Sequence, residues 1–126
     1  MSHGLSLKIF DIPFTVCRLT DAAVPNLSQP YTFYARTAEE ISLVCPTACV
    51  PAEVEAREDG WRAFCINGIL DFSLIGILSG ISTVLADNGI GIFAVSTYNT
   101  DYIFVKEPQL PCAIEALEAA GYTMHK

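Results

Sequence analysis

A chain of 126 residues with 52% hydrophobic and 17% charged residues can form one compact domain, or two very small ones that share a core. Its net charge is −7 and its seven basic residues are spread singly, so the clustered positive surface that nucleic acids require is missing and no nucleic acid partner is expected. No apolar run reaches the roughly 18–20 residues of a membrane helix, and the first seven residues hold no Lys or Arg, so we expect a soluble, cytoplasmic protein without a membrane partner.

The first half of the chain is typical of short strands with little helix. Four strands are predicted, in the order Leu5–Phe10, Phe14–Leu19, Tyr31–Arg36 and Ile41–Cys45, the last two as a hairpin around Thr37–Glu40. Prolines leave room only for short helices between the strands, since proline breaks a helix interior; they are Pro25, Pro30, Pro46 and Pro51. The acidic stretch Glu53–Asp59, which ends in Gly60, is interpreted as the link into the second half.

The second half predicts the order strand, helix, strand, strand, helix, strand. The predicted strands are Trp61–Ile66, Ile92–Ser96, Tyr102–Val105 and Tyr122–His125. A turn at Asn67-Gly68 and an N-cap at Asp71 or Ser73 precede the first helix. Its apolar face recurs at three- and four-residue spacing and consists of Leu74, Ile77, Leu78, Ile81, Val84 and Leu85. Asn88-Gly89 ends this helix. A second helix starts at Pro111 and stops at Gly121, and its apolar face consists of Leu110, Ile114 and Leu117.

This order of elements indicates an α+β fold of the ferredoxin-like type, βαββαβ, in which an antiparallel sheet carries two helices on one face. The first half has a similar order of strands with shortened helices, so it is interpreted as a degenerate copy. Residues 1–58 are therefore predicted to form a degenerate N-terminal domain, and residues 59–126 a complete C-terminal domain.

The residues that would support catalysis are sparse. His3 and His125 lie at the two ends of the chain, and neither a G-x-S-x-G elbow nor a phosphate-binding glycine loop occurs. Cys45 and Cys49 are the closest pair among five cysteines, but their spacing is C-x-x-x-C and no second pair completes a zinc site. We expect reduced structural thiols, no metal, no cofactor and no catalytic residues. An enzyme that uses Cys45 or Cys49 stays open as an alternative.

Two loops are suited to a small zwitterion. The first, Asp71–Ile77, leads from a strand into a helix, and a helix start favours a carboxylate. Gly76 is expected in the first helical turn, where glycine makes the helix about 1 kcal/mol less stable than alanine does. Close approach of a ligand, or close packing of the helix on the sheet, would explain a glycine there. In the second loop, Ser96–Asp101, an ammonium group can be bound by Asp101, assisted by Thr97 and Asn99. The alternative for this loop is a hairpin turn with purely local hydrogen bonds.

Two segments, Leu70–Leu78 and Gly91–Val105, resemble the ACT-like domain of the cytosolic arginine sensors of the TOR pathway. They resemble equally the small bacterial tandem-ACT proteins related to those sensors. In the first half, Glu39–Pro46 is similar to a motif of the same bacterial group. The resemblance implies two ferredoxin-like ACT domains, the first degenerate, with a free amino acid as ligand at an interface between domains. Because ACT domains commonly pair, it also implies a homodimer.

The resemblance assigns ligand contacts to both loops. The implied ligand-binding residues are Leu74, Ile75, Gly76 and Ile77 in the first loop, and Thr97, Tyr98 and Asp101 in the second. The first loop would supply backbone amides, and the hairpin the aromatic residue and the acid. Where the arginine sensors have an acidic residue this chain has Leu74, so a smaller or apolar amino acid fits at least as well as arginine. The expected function is a non-catalytic, amino-acid-binding regulatory module; the alternative is a structural or protein-interaction ACT domain that has lost its ligand.

Overall fold

The computed structural model describes residues 5–67 and 76–126. In these residues the strands are β1 (Ser6–Ile9), β2 (Phe14–Leu19), β3 (Phe33–Arg36), β4 (Ile41–Pro46), β5 (Val54–Ile66), β6 (Ile92–Ser96), β7 (Asp101–Lys106) and β8 (Thr123–His125). The helices are α1 (Ile77–Asp87) and α2 (Leu110–Ala119), and 3₁₀ turns follow β4 at Thr47–Cys49 and β7 at Glu107–Gln109. The predicted α+β fold and the predicted order of strands and helices are confirmed.

The chain divides into two compact units. The helical unit consists of Met1–Asp11 and Arg62–Lys126, and the strand unit of Ile12–Trp61. Residues 58 and 59, between which the sequence predicts the domain boundary, both lie in β5, and the helical unit includes the first eleven residues. The reason is β1, which pairs with the last residues of β5 in the register Leu7↔Ile66.

The strand unit keeps the strands of a ferredoxin-like fold without its helices. Its sheet has the order β3-β4-β2-β5, and every neighbouring pair is antiparallel. All of residues 12–61 are described, and they contain one 3₁₀ turn and no α-helix. Pro25 and Pro30 prevent a helix between β2 and β3. The core of this unit is a small cluster made of Cys17, Leu19, Ile41, Leu43 and Cys45.

The segment Glu53–Gly60, predicted to be a linker, is mostly strand. Residues 54–61 of β5 pair antiparallel with β2, with Glu58 opposite Val16 and Ala56 opposite Arg18. These residues form the edge of the strand unit's sheet, and their charged side chains are exposed. The linker prediction is wrong. Charged side chains protect an edge strand from pairing with another chain, so its composition is as polar as that of a loop.

The helical unit adds one strand to the predicted arrangement. Its sheet order is β6-β7-β5-β1-β8. β1 lies between β5 and β8 and pairs parallel with β8, with Leu7 opposite Met124. The prediction of a purely antiparallel sheet is wrong for this pair, because a strand from the beginning of the chain occupies the position beside β5.

Both helices of the helical unit pack on one face of its sheet. Alternate strand residues and the apolar helix faces form one core cluster, which contains Leu7, Ile9, Phe64, Ile66, Ile81, Leu85, Ile103, Val105, Ala113 and Leu117. The predicted faces of both helices are thus confirmed, although Leu74 lies outside the described residues. At 11 and 10 residues, neither described helix is long enough to cross a membrane.

Candidate functional site

The predicted hairpin loop is a tight turn between β6 and β7. Ser96 and Asp101 are its last paired residues. The Thr97 amide donates a 2.8 Å hydrogen bond to the carbonyl of Thr100, the Thr97 hydroxyl donates to the same carbonyl at 3.0 Å, and the Thr100 amide donates back to that hydroxyl at 3.3 Å. The Thr97 side chain therefore stabilises the turn, and its hydroxyl already makes two hydrogen bonds within the turn.

Asp101 is a half-buried residue at the base of this turn. Its Oδ1 accepts a 2.5 Å hydrogen bond from the hydroxyl of Ser96. Among the described residues no Lys or Arg forms an ion pair with Asp101. The carboxylate is thus oriented by a neutral donor, and its charge is available to a cation.

Tyr98 lies at the tip of the turn and is 83% exposed. Large aromatic side chains are usually much more buried, because each can remove 150–250 Å² or so from water. An exposed aromatic ring can cover a small ligand and can contact a cation with its face. Tyr98 and Asp101, the two hairpin residues that the sequence predicts as ligand contacts, thus lie at the tip and at the base of one turn.

The first loop differs from the prediction at Gly76. This residue is the N-cap of α1 and has a φ of 82°, so it precedes the helix instead of lying in its first turn. Glycine is required there because other residues rarely adopt this backbone conformation. Close packing is not the reason, since a Cβ added to Gly76 would have no described atom within 4 Å. Ile77 begins the helix and packs against the core. The remaining predicted positions, Leu74 and Ile75, lie outside the described residues, as do Asp71 and Ser73.

Thr100 links the hairpin to the strand that leads toward α1. Its hydroxyl donates a 3.1 Å hydrogen bond to the carbonyl of Ile66, the last residue of β5. Thr100 is 9% exposed, and only Thr15 is a more buried polar residue in the described part of the chain. The sequence pattern did not single out Thr100, although a β-branched hydroxyl residue in a turn is a signal that could have done so.

The burial of two cysteines disfavours them as nucleophiles. Burial raises the pKa of the Cys45 thiol to about 12, and the pKa of Cys17 is raised for the same reason. A nucleophilic cysteine needs the thiolate form, which burial disfavours. The described residues also contain no group of three or more His, Cys, Asp or Glu side chains suited to a metal ion.

Comparison with known proteins adds a family and several related folds. A family model for the ACT domain matches residues 56–119. Protein Atu0741 from Agobacterium tumefaciens is 31% identical, with a TM-score of 0.83 over 95% of this chain and 91% of that chain. VC0802, a Vibrio cholerae protein of unknown function, is 21% identical, with a TM-score of 0.71 over 93% of this chain and 90% of that chain. The ligand-free regulatory subunit of aspartate kinase from Thermus thermophilus is 7% identical, with a TM-score of 0.61 over 90% of this chain and 95% of that chain. No curated protein matches the chain.

These similarities have different weight. At 21% and 7% identity, the second and third structures support the fold alone. The specific relation to the arginine sensors of the TOR pathway stays a prediction. The family match begins in β5 and ends with α2, so it includes the hairpin, α1 and the Thr100–Ile66 bond. The chain belongs to the ACT domain family.

Proposed function

We propose that this protein is a non-catalytic regulatory module that binds a free amino acid in its helical unit. The observation that carries the proposal is Asp101, a half-buried residue whose carboxylate has no ion pair with Lys or Arg among the described residues, in the same turn as the exposed Tyr98. The Thr100–Ile66 hydrogen bond fixes this hairpin at the end of β5, from which the chain continues toward Gly76 and α1. A ligand there would meet a carboxylate, an aromatic ring and a helix start.

The proposed binding mode uses each of these groups once. The carboxylate of the amino acid accepts hydrogen bonds from backbone amides at the start of α1, where the helix dipole favours a negative charge. Its ammonium group lies against Asp101, and Tyr98 covers it. Leu74 replaces the acid of the arginine sensors, so a smaller or apolar amino acid is as suitable as arginine. A regulatory role agrees with the fold that the chain shares with the regulatory subunit of aspartate kinase from Thermus thermophilus.

A cytoplasmic homodimer is the form in which we propose that the module acts. β6 pairs only with β7 among the described strands, so its outer edge has unpaired backbone groups that a second copy can bind. Light scattering of the full chain should give the mass of a dimer. A monomer at high micromolar concentration would contradict this part of the proposal.

One observation favours a second candidate function, a structural or interaction domain that has lost its ligand. The Thr97 hydroxyl and the Asp101 carboxylate already have hydrogen-bond partners inside the hairpin. A turn that only connects two strands would need the same bonds. The two candidates differ in one measurable property, which is stabilisation by a free amino acid.

The deciding experiment is a thermal-shift screen of the full chain against the twenty amino acids. A ligand that binds only the folded state adds about 2.7 kcal/mol at a concentration one hundred times its Kd, so the melting temperature should rise for at least one of them. Asp101→Asn and Tyr98→Ala should reduce this rise. Glu118→Gln removes one exposed carboxylate from α2 and serves as the matched control, with the rise unchanged. If no amino acid raises the melting temperature, or if Asp101→Asn responds like wild type, the proposal is wrong.

A further inference from the structure

Three of the five cysteines lie together in the core of the strand unit. Cys17 and Cys45 are two of the five buried residues of its cluster, and Cys49, the last residue of the 3₁₀ turn after β4, packs against the same cluster. Cys17 and Cys45 are buried, whereas Cys49 is only partly buried. Cys49 is therefore the most accessible of these three thiols.

Cys45 is the thiol that Cys49 can reach. It lies two residues beyond Leu43, the residue paired with Cys17, so the two buried cysteines are diagonal neighbours with Cβ atoms roughly 7 Å apart. A disulfide requires Cβ atoms about 3.5–4.5 Å apart, which excludes a bridge between these two while β2 and β4 stay paired. Burial raises the pKa of both buried thiols most, but a negative charge on Cys49 adds to the rise at Cys45 alone. Cys45 is thus nearer to Cys49 than Cys17 is.

The 3₁₀ turn Thr47–Cys49 is the element that can move. It is three residues long and contains no buried residue. Its hydrogen bond from the Val50 amide to the Thr47 carbonyl is long, at 3.4 Å, as is common in such short turns. A movement of this turn can bring Cys49 against Cys45 while β4 stays in the sheet.

Thr47 lies between the two cysteines and connects the turn to neighbouring strands. Its amide donates a 3.0 Å hydrogen bond to the carbonyl of Pro13, and its hydroxyl oxygen is 2.9 Å from that of Thr15. Thr15 is fully buried, and its hydroxyl donates to Oδ1 of Asp59 in β5 at 2.5 Å. A movement of the turn therefore changes a chain of hydrogen bonds that extends from Thr47 to β5.

We propose that Cys45 and Cys49 form a modification site, at which a hydroperoxide closes a disulfide across the turn. The Cys49 sulfur attacks an oxygen of hydrogen peroxide; an S–O bond forms, the O–O bond breaks, and the second oxygen leaves as water with the thiol proton. The Cys45 sulfur then attacks the sulfenic acid; an S–S bond forms, the S–O bond breaks, and the hydroxyl leaves as water with the Cys45 proton. The two thiols together lose two electrons, which reduce one peroxide to two waters.

The surroundings of Cys45 suit the second step alone. Burial raises the pKa of this thiol to about 12 and separates it from solvent, so it does not attack peroxide directly. A sulfenic acid on Cys49 forms beside the same cluster, and its attack by Cys45 needs no access from solvent. The site uses residues of the strand unit only, so it does not depend on the site proposed at Asp101.

The test is peptide mapping of the full, reduced chain after treatment with hydrogen peroxide. Trypsin cuts after Lys and Arg, so it leaves Cys45 and Cys49 together in the peptide of residues 37–57 and Cys17 in that of residues 9–18. The peptide 37–57 should lose about 2 Da, the mass of two hydrogen atoms, and dithiothreitol should restore that mass. The amide signals of Thr15 and Thr47 should shift in the oxidised chain.

Three variants separate the two steps. Cys45→Ala should stop the reaction at the sulfenic acid of Cys49, which a cyclic 1,3-diketone then labels. Cys49→Ser should leave Cys45 as a free thiol. Cys112→Ser removes an exposed cysteine of α2; it is the matched control and should form the disulfide like wild type.

The mapping of the wild-type chain decides the proposal even if a variant does not fold. If the peptide 37–57 keeps two free thiols at a peroxide concentration that oxidises the exposed Cys112, the pair is not a modification site. If this peptide becomes linked to the peptide 9–18, Cys17 is the partner and the proposed pair is wrong. Unchanged amide signals of Thr15 and Thr47 in the oxidised chain would show that the disulfide does not act through their hydrogen bonds.

Discussion

The hydroxyl of Thr100 donates a 3.1 Å hydrogen bond to the backbone carbonyl of Ile66, and this bond connects the β6–β7 turn to the end of β5. Both groups are buried, as Thr100 is 9% and Ile66 1% exposed. A buried carbonyl that loses its partner cannot easily recover a hydrogen bond from water. The turn that presents Tyr98 and Asp101 therefore depends on a residue that would not itself contact the ligand.

Replacing Thr100 by valine tests this dependence. Valine has nearly the same shape but cannot donate, so Ile66 would keep a buried, unpaired carbonyl. We expect the free energy of unfolding to fall by about 1–3 kcal/mol in urea denaturation. Thr123→Val, at an exposed position of β8, is the matched control and should change stability by less than about 0.5 kcal/mol. Equal effects of the two substitutions would contradict a structural role for the Thr100–Ile66 bond.

The strands and helices could be predicted because their apolar residues recur at the periods of the two structures. The hairpin Phe33–Pro46 and the faces of α1 and α2 are examples. Two features could not be predicted from local patterns. β1 lies between β5 and β8 through pairing between distant parts of the chain, and residues 54–61 form a strand although their charges are typical of a loop. Strand pairing across long sequence separations leaves no periodic signal of its own.

Only part of the candidate site could be predicted from the sequence. The resemblance identified the hairpin residues Tyr98 and Asp101, which the structure brings to the tip and base of one turn. It did not identify the role of Thr97, whose hydroxyl is engaged within the turn. The sequence predicts Gly76 inside the helix, whereas the structure gives it a left-handed φ at the N-cap. This conformation could not be predicted, because glycine permits a positive φ but does not require one.

The cysteines should differ strongly in their reactivity toward a thiol reagent in the native protein. Cys112 is exposed, whereas Cys17, Cys45 and Cys65 are buried and burial raises the pKa of each of these three thiols. We expect Cys112 to react at the rate of a free thiol, and the three buried cysteines to react only as the protein unfolds. Mass spectrometry of the labelled peptides identifies the sites. Fast labelling of Cys45 would contradict the structural role and would support the enzyme alternative.

The free energy of unfolding should decrease in alkaline solution. Burial raises the pKa of the Cys45 thiol to about 12, whereas a thiol in an unfolded chain has a pKa of about 8.5. The folded state thus holds this proton more tightly, and the resulting stability is fully present below a pH of about 8.5 and is lost as the pH rises toward 12.

The slope that this one group contributes is at most about 1.4 kcal/mol per pH unit. Urea denaturation under reducing conditions, from neutral pH to pH 10 or so, measures it. Cys45→Ala should flatten the decline, while Cys112→Ala, the exposed control, should leave it unchanged. A Cys45→Ala variant with the slope of wild type would show that this thiol does not retain its proton in the folded state.

The last prediction concerns Gly76, whose φ of 82° places it in the left-handed region at the N-cap of α1. An added Cβ would have no described atom within 4 Å, so Gly76→Ala should cause no collision and should act only through the backbone. The left-handed conformation costs a residue with a Cβ about 1–2 kcal/mol, and the free energy of unfolding should fall by that amount. Gly91→Ala is the matched control, because Gly91 has the same open surroundings without a positive φ. Urea denaturation of the two variants gives the difference directly. If they are equally stable, the left-handed conformation of Gly76 is not what requires glycine there, and close approach of a ligand to the start of α1 becomes the better explanation.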